Sequence, residues 1–110
     1  LYIVGRKKDM LIYKGYNVYP KDLEEVLNKH KDVARAAVVG KRDDRAGELP
    51  VAFVQLKTGA ESGEEEIKDY ANRKLARYKK IRILKIMEEL PTNKEGRIKR
   101  WELREKAQAL

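Results

Sequence analysis

Apolar residues recur at helical spacing over residues 20–30. Leu23, Val26, Leu27 and His30 follow the spacing i, i+3, i+4, i+7. This spacing places side chains on one face of an α-helix. Pro20 begins this stretch, and its fixed φ suits the first turn of a helix. The pattern predicts a helix over residues 20–30, with His30 as a packed helix-end residue rather than a catalytic one.

Two β-rich runs follow, separated by a charged segment. Residues 33–40 are mostly small and apolar, which is typical of a central strand covered on both faces. Residues 49–57 predict a strand with two different faces. One face comprises Val51, Phe53 and Gln55, and the other Ala52, Val54 and Leu56. We interpret residues 41–48 as a charged loop, in which Asp43 and Asp44 favour a turn over a metal site.

A second amphipathic stretch begins after residue 61. Ser62 and Glu65 have the spacing of a capping box, which predicts a helix start. We expect the helix to end near residue 78, with a buried face formed by Ile67, Tyr70, Ala71, Leu75 and Tyr78.

The last third of the chain predicts one strand and one helix. Ile81, Ile83 and Ile86 indicate a strand, and Pro91 closes that segment. Strong helix formers run from about residue 99 to residue 109, with Trp101 expected to anchor the helix in the core.

The first twenty residues read as short strands and turns. Apolar runs at residues 1–4 and 10–13 predict two strands joined by a basic turn, and residues 14–17 form a second turn around Gly15. The full order, ββαββαβα, predicts an α+β domain. We expect a small sheet of about three main strands plus an N-terminal β-hairpin, packed by helices.

Composition narrows the possible chemistry. The 110 residues contain no cysteine and one histidine, so thiolate and multi-histidine metal sites are excluded. The absence of cysteine suits a reducing compartment, and the longest apolar runs are too short to span a bilayer. We therefore expect a soluble, cytoplasmic protein. The formal net charge of +8 calls for an anionic partner or for a surface of mixed charge.

The segment from Leu90 to Arg104 concentrates that charge. A turn containing Pro91 leads to a glycine loop and then to a helix start rich in cations. Such a loop can present a long cationic side chain to a phosphate, where a cation compensates developing charge. Taken alone, the segment is more typical of a capped helix with a solvated basic face.

The N-terminal segment favours the phosphate-binding interpretation over the solvated helix. Residues 5–24, GRKKDMLIYKGYNVYPKDLE, resemble the pattern G-R-x-K-D…G-x-x-V-x-P-x-E-I-E of the acyl-adenylate-forming (AMP-dependent synthetase/ligase) superfamily. The other similar motifs follow in family order: AAVVG at 36–40, GE at 47–48, AFV at 52–54, LARYK at 75–79 and the closing LP…GRI…R…LR at 90–104. The chain resembles the C-terminal domain of these enzymes, most closely that of an acyl-CoA synthetase of the long-chain fatty acid type.

The resemblance implies a two-step ligase. A carboxylate, expected to be that of a fatty acid, reacts with Mg²⁺-bound ATP to give an acyl-adenylate, and coenzyme A then takes the acyl group. Residues 1–110 would be a mobile lid on a large N-terminal domain that binds most of the ATP and Mg²⁺. The isolated lid should be inactive.

The resemblance also implies roles for individual residues. Arg97 occupies the position of the family's adenylation lysine, with Lys94 and Lys99 as neighbouring cations. Lys8 matches the hinge, and Arg6 and Asn17 match nucleotide-binding positions. The coenzyme A tunnel would be lined by Lys14, Gly15 and Tyr16. Ile12 stands where some synthetases carry a second functional lysine.

Two other functions fit parts of the chain. A related adenylation domain would use a carrier-protein thiol in place of coenzyme A. A nucleic-acid-binding domain would use the basic clusters at 6–8, 79–82 and 97–104, but it needs aromatic residues interleaved with the bases for stacking. The tyrosines fall at turns or on apolar faces, so we expect no nucleic-acid partner.

Overall fold

The computed structural model describes residues 11–45, 47–75 and 80–109. These residues form five strands and three helices, in the order β1 (Leu11–Tyr13), β2 (Tyr16–Val18), α1 (Pro20–Asn28), β3 (Val33–Asp43), β4 (Gly47–Leu56), α2 (Glu64–Asn72), β5 (Ile83–Met87) and α3 (Arg100–Gln108). The predicted α+β class is confirmed, and the described elements also follow the order ββαββαβα, although their first two strands are not the predicted pair. None of the helices in these ranges is long and apolar enough to cross a membrane.

β4 is the central strand of the described sheet, and β3 is its long partner at the sheet edge. They pair antiparallel from Val33↔Leu56 to Asp43↔Gly47, with a bulge between Val33 and Arg35. On its other edge β4 pairs in parallel with β5 along residues 51–55. The β1–β2 hairpin joins that same edge nearer the start of β4, through the Tyr13↔Gly47 pair. The sheet therefore has three main strands plus a hairpin, as predicted.

The hairpin consists of different segments from those that the sequence suggests. Leu11–Tyr13 confirms the predicted strand at residues 10–13, but its antiparallel partner is Tyr16–Val18. The predicted strand at residues 1–4 lies outside the described residues. Residues 14–17 contain the turn that reverses the chain, and only its first two positions are unpaired.

Each face of the β3–β4 ladder packs a separate apolar cluster. The first cluster includes Ala52 and Val54 of β4 and is covered by α1 and α2. The second includes Val51 and Phe53 and is covered by α3. The predicted alternation along β4 and the coverage of β3 on both faces are confirmed, but β3 lies at the edge of the described sheet and not at its centre as predicted. His30 is buried at the end of α1, its ring edge packed on Tyr70 at a centroid distance of 4.7 Å, as predicted.

The segment at 41–48 is mostly strand, so the predicted charged loop is wrong. β3 continues to Asp43 and β4 begins at Gly47. Tertiary contacts from α3 hold these charged residues in place: Lys41 Nζ donates to the Gln108 carbonyl at 3.2 Å, and the Arg42 amide donates to Gln108 Oε1 at 2.9 Å. The turn that the aspartates favour is present but short: it is limited to the residues around Asp44, where the Arg45 amide donates to Asp43 Oδ2 at 3.1 Å.

The predicted capping box of α2 is also wrong. Gly63 is the N-cap and no side chain caps the helix. Ser62 Oγ instead hydrogen bonds to the Asp32 carboxylate, and it lies 3.3 Å from Glu66 Oε2. This contact ties the start of α2 to the turn after α1.

α2 ends at Asn72 rather than near residue 78. After it, the Lys74 amide donates to the Ala71 carbonyl, a spacing of three residues that ends the α-helical pattern. The Asn72 side chain bonds both the amide and the carbonyl of Ile81, at 2.8 and 3.1 Å. Residues 76–79, including the predicted buried Tyr78, lie outside the described residues.

α3 packs on the sheet through Leu103 and Ala107, which are fully buried. The prediction that Trp101 anchors this helix is wrong, because 57% of its surface is exposed. Trp101 is offset by two positions from Leu103, so it lies on a different side of the helix.

Candidate functional site

The cationic segment between β5 and α3 forms a closed loop. Thr92 and Ile98 pair as an isolated antiparallel bridge, and the Lys99 amide donates to the Pro91 carbonyl at 2.8 Å. Gly96 has φ +84°, a conformation that glycine adopts without strain. The predicted glycine loop is therefore a tight reversal with Arg97 immediately after its glycine.

Asn93 organises the interior of this loop. Its Oδ1 accepts the amides of Glu95 at 2.9 Å and Arg97 at 3.0 Å. Its own amide donates to the Arg97 carbonyl at 2.8 Å, and its carbonyl accepts the Gly96 amide at 3.0 Å. Asparagine side chains often mimic a backbone turn in this way. Both peptide groups of Arg97 are thus bonded to a single residue.

The Arg97 side chain is exposed at the loop surface. Within the described ranges it makes no hydrogen bond or ion pair, although its backbone is fixed on both sides. A guanidinium carries five N–H donors in a planar fork that matches carboxylate and phosphate oxygens. The arrangement is suited to binding an oxyanion.

Two strand residues connect the loop to the sheet. Arg35 of β3 donates from Nη2 to the Gly96 carbonyl at 2.8 Å. Gln55 of β4 accepts the Leu90 amide on Oε1 at 3.0 Å. Arg35 and Gln55 are direct partners in the β3–β4 register, so both contacts start from the same end of the ladder.

The helix that follows the loop is held by a partly buried ion pair. Arg100, the first residue of α3, contacts Glu24 of α1 at 2.6 Å and 2.8 Å through its two terminal nitrogens. The same pair bonds Val38 on the outer edge of β3, with the amide donating to Glu24 at 2.8 Å and the carbonyl accepting from Arg100 at 3.3 Å. The two arginines near this helix start therefore differ. Arg100 is bonded to Glu24, whereas the Arg97 side chain is exposed and has no bonded partner within the described residues.

The turn of the β1–β2 hairpin is the second predicted site. Lys14 and Gly15 have φ values of +49° and +85°, which define a two-residue type I′ turn. Lys14, Gly15, Tyr16 and Asn17 are all exposed. Asn17 lies opposite Ile12 in the register, and the Ile12 amide donates to Glu48 Oε1 at 3.2 Å.

The two predicted sites lie at opposite ends of the sheet. The Arg97 loop is attached beside Gln55, whereas the hairpin pairs with Gly47. Eight residues of extended strand separate those attachment points, a span of about 27 Å. The structure therefore does not bring Arg97 together with Asn17 or with the Lys14–Tyr16 turn. Arg6 and Lys8 lie outside the described residues.

The sequence pattern alone did not reveal three contributors to this arrangement. Asn93 had a usable signal, because an asparagine three residues before a glycine is typical of a turn. Arg35 and Gln55 had none, since they act on residues 61 and 35 positions away.

The described residues form a small α+β domain with an exposed cationic loop between β5 and α3. Residues 22–97 match the family model of the AMP-binding enzyme C-terminal domain. The chain belongs to this family, which confirms the resemblance found in the sequence.

The similar proteins are much longer than this chain. It is 46% identical over 105 residues to 4-coumarate--CoA ligase-like 9 of Oryza sativa subsp. japonica, covering 96% of this chain and 19% of that protein. The Mycobacterium tuberculosis fatty acyl CoA synthetase superposes with a TM-score of 0.84 at 37% identity, over 93% of this chain and 20% of that one. The ATP-bound crystal structure of MatB from Rhodopseudomonas palustris gives 0.87 at 30% identity, over 93% and 20%. The chain thus spans about a fifth of the length of these relatives.

Proposed function

We propose that residues 1–110 are the mobile C-terminal domain of an AMP-forming acid–thiol ligase, docked on a larger N-terminal domain of the same protein. Support comes from the family match and from relatives whose names are those of CoA ligases and acyl CoA synthetases. The observation that carries the proposal is the exposed Arg97 guanidinium on an internally bonded loop, at the position of the family's adenylation lysine.

In the first half-reaction Arg97 contacts the oxygens between the two reactants. The acid's carboxylate oxygen attacks the α-phosphorus of ATP, and the new O–P bond gives the acyl-adenylate. Pyrophosphate leaves with the electrons of the broken P–O bond. Negative charge is concentrated on the carboxylate and phosphate oxygens along this path. The fork of Arg97 binds them as a fixed, permanently charged group, and preorganised cations of this kind lower the barrier.

The second half-reaction uses the other end of the domain. The thiol of coenzyme A attacks the acyl carbonyl, and AMP leaves with the electrons of the broken C–O bond. Lys14, Gly15 and Tyr16 line the path of the pantetheine arm, where a glycine lets a narrow chain pass close to backbone. Arg6 and Asn17 contact the nucleotide and the domain interface. Lys8 is the hinge about which the domain rotates, so that first one end and then the other faces the N-terminal domain.

Magnesium enters this scheme with ATP. The described residues contain no group of three or more His, Asp or Glu side chains that could hold a metal ion. We assign most of the protein ligands for Mg²⁺ and ATP to the N-terminal domain. The cationic loop adds a guanidinium, which suits the phosphate oxygens and not the metal.

The substrate is a carboxylic acid. A fatty acid is the first candidate, since the M. tuberculosis protein is named a fatty acyl CoA synthetase. A hydroxycinnamic acid is the second, since the rice protein is named 4-coumarate--CoA ligase-like 9. Turnover of the full-length enzyme on fatty acids of graded length and on 4-coumarate separates them. Replacing coenzyme A with a phosphopantetheinylated carrier protein tests the other acceptor, and a cytoplasmic location remains a prediction.

The test of the proposal separates the two half-reactions in the full-length enzyme. Acid-dependent exchange of pyrophosphate into ATP reports adenylation, and thioester formation from preformed acyl-adenylate reports the second step. We expect Arg97→Ala to lower exchange by about 10²-fold and to leave the second step unchanged. Arg97→Lys should keep or raise the exchange rate.

Lys94→Ala is the matched control, because Lys94 is an exposed cation of the same loop. It should leave both half-reactions intact. Equal losses of exchange in Arg97→Ala and Lys94→Ala would show that the overall charge of the loop matters and not the position of Arg97. Full activity in Arg97→Ala would refute the assignment. Lys8→Pro should impair the thiol step more than exchange, because it restricts the hinge.

A further inference from the structure

The direction of the Arg97 side chain is set by another residue of its own loop. The Arg97 amide donates to Asn93 Oδ1 at 3.0 Å, and the Arg97 carbonyl accepts the Asn93 amide at 2.8 Å. With the groups on both sides of its Cα bonded, Arg97 cannot rotate φ or ψ without breaking one of them. The Cα–Cβ bond of Arg97 is therefore aimed by Asn93.

The location of the loop on the sheet is set by Arg35. Its Nη2 donates at 2.8 Å to the carbonyl of Gly96, the residue directly before Arg97. Arg35 belongs to the long β3–β4 ladder and lies opposite Gln55, which holds the start of the segment through the Leu90 amide. A single rung of the sheet thus fixes both the start and the tip of the segment that carries Arg97.

We propose that Asn93 and Arg35 are positioning residues for Arg97 in the adenylation half-reaction. Asn93 fixes the orientation of the Arg97 backbone, and Arg35 fixes the loop relative to the sheet. Neither needs to touch a substrate. This inference rests on the proposed function, since it assigns the two residues to the step that Arg97 serves.

The chemistry of the contacts defines the variants. Asn93 acts through an acceptor oxygen, so Asn93→Ala removes both side-chain bonds, whereas Asn93→Ser keeps a shorter, neutral acceptor that forms the same turn more weakly. Arg35 acts through a donor on a long side chain. Arg35→Met removes the donor while keeping an unbranched apolar side chain, and Arg35→Lys keeps the charge without the planar fork.

The experiment measures both half-reactions of the full-length enzyme. We expect Asn93→Ala and Arg35→Met to lower kcat for pyrophosphate exchange by about tenfold or more, toward the 10²-fold loss that a 1 Å misplacement causes. The KM for ATP should change by less than about twofold, because ground-state binding is not what these residues serve. Thioester formation from acyl-adenylate should be unchanged. Asn93→Ser and Arg35→Lys should recover part of the lost exchange.

A double-variant comparison separates positioning from general damage. In an Arg97→Ala background, adding Asn93→Ala should reduce exchange no further, because residues that act as a unit are not additive. Equal loss in both half-reactions, or a full additive loss on top of Arg97→Ala, would show a merely structural role and overturn the inference.

The two proposals fail in different ways. If the unaltered enzyme shows no acid-dependent exchange, or if Arg97→Ala does not lower it, the proposed function itself is wrong. If exchange depends on Arg97 and survives both Asn93→Ala and Arg35→Met, only the positioning role is wrong. Lys94→Ala remains the control for loop charge.

Discussion

Arg100 and Glu24 form a two-point ion pair across 76 positions of the chain, with N–O distances of 2.6 and 2.8 Å. Glu24 is buried, and the pair also satisfies the amide and carbonyl of Val38 on the outer edge of β3. The contact therefore joins α1, α3 and a strand edge that would otherwise present unpaired backbone groups.

Arg100→Met should destabilise the fold by about 2–3 kcal/mol, because among the described residues it leaves the buried Glu24 carboxylate with only the Val38 amide as a donor. Urea unfolding followed by far-ultraviolet circular dichroism measures the change. Arg104→Met is the control: Arg104 is exposed on the same helix, and the change should stay within about 0.5 kcal/mol. Similar losses in the two variants would show that helix charge matters and the ion pair does not.

Gly15→Ala should destabilise the hairpin by about 1 kcal/mol, because its φ of +85° disfavours any residue with a Cβ. Lys14→Asn should act in the opposite direction, since Asn-Gly is the preferred type I′ pair. Unfolding midpoints of both variants test this. Gly59→Ala is a matched control, because Gly59 has φ +83° and lies away from the hairpin. It should lower stability but, unlike a change at the proposed tunnel residue Gly15, should not slow the proposed thiol step.

Gly40→Ala should cost about 1–3 kcal/mol through overpacking. A Cβ at this position would lie 2.6 Å from both Glu48 Oε2 and Leu11 Cδ2. Glu48 also accepts the Ile12 amide, so the displaced carboxylate would loosen the hairpin. Urea unfolding measures the effect, and Glu48→Ala added to Gly40→Ala should relieve part of the clash. A double variant with the full sum of both losses would contradict it.

Leu103→Ala should cost about 3 kcal/mol, because it empties a fully buried position between α3 and the sheet. Trp101→Ala should change stability by no more than about 0.5 kcal/mol, despite the larger side chain, since Trp101 is mostly exposed. Thermal unfolding of the two variants decides the order. A larger loss for Trp101→Ala would restore it as the anchor of this helix.

The parts of the fold that follow a local period could be predicted from the sequence. The stripe through Leu23 and Leu27 defined α1, and the alternation of Val51 with Ala52 assigned the two faces of β4 correctly. The interpretation of residues 41–48 as a loop was wrong because Gln108, far along the chain, bonds Arg42 and Gly40 and extends the strand. Ser62 had the right spacing for a cap, but Asp32 competes for its hydroxyl.

The candidate site divides in the same way. The exposed position of Arg97 and the positive φ of Gly15 could be anticipated from motifs of adjacent residues. The contacts of Arg35 with Gly96 and of Arg100 with Glu24 could not, because each joins residues more than 60 positions apart. No local spacing distinguishes Arg100, which is bonded in the interior, from Arg97, which is available to a ligand.

Under the proposed function, the internal bonding of the loop that carries Arg97 has a consequence for each catalytic cycle. Its hydrogen bonds run within residues 91–99 and to the sheet of its own domain, so its shape does not depend on contact with the rest of the enzyme. Ordering a flexible residue costs about 1 kcal/mol or more of conformational entropy. This loop meets that cost once, when the domain folds, so the proposed docking on a nucleotide would need no further ordering of the loop.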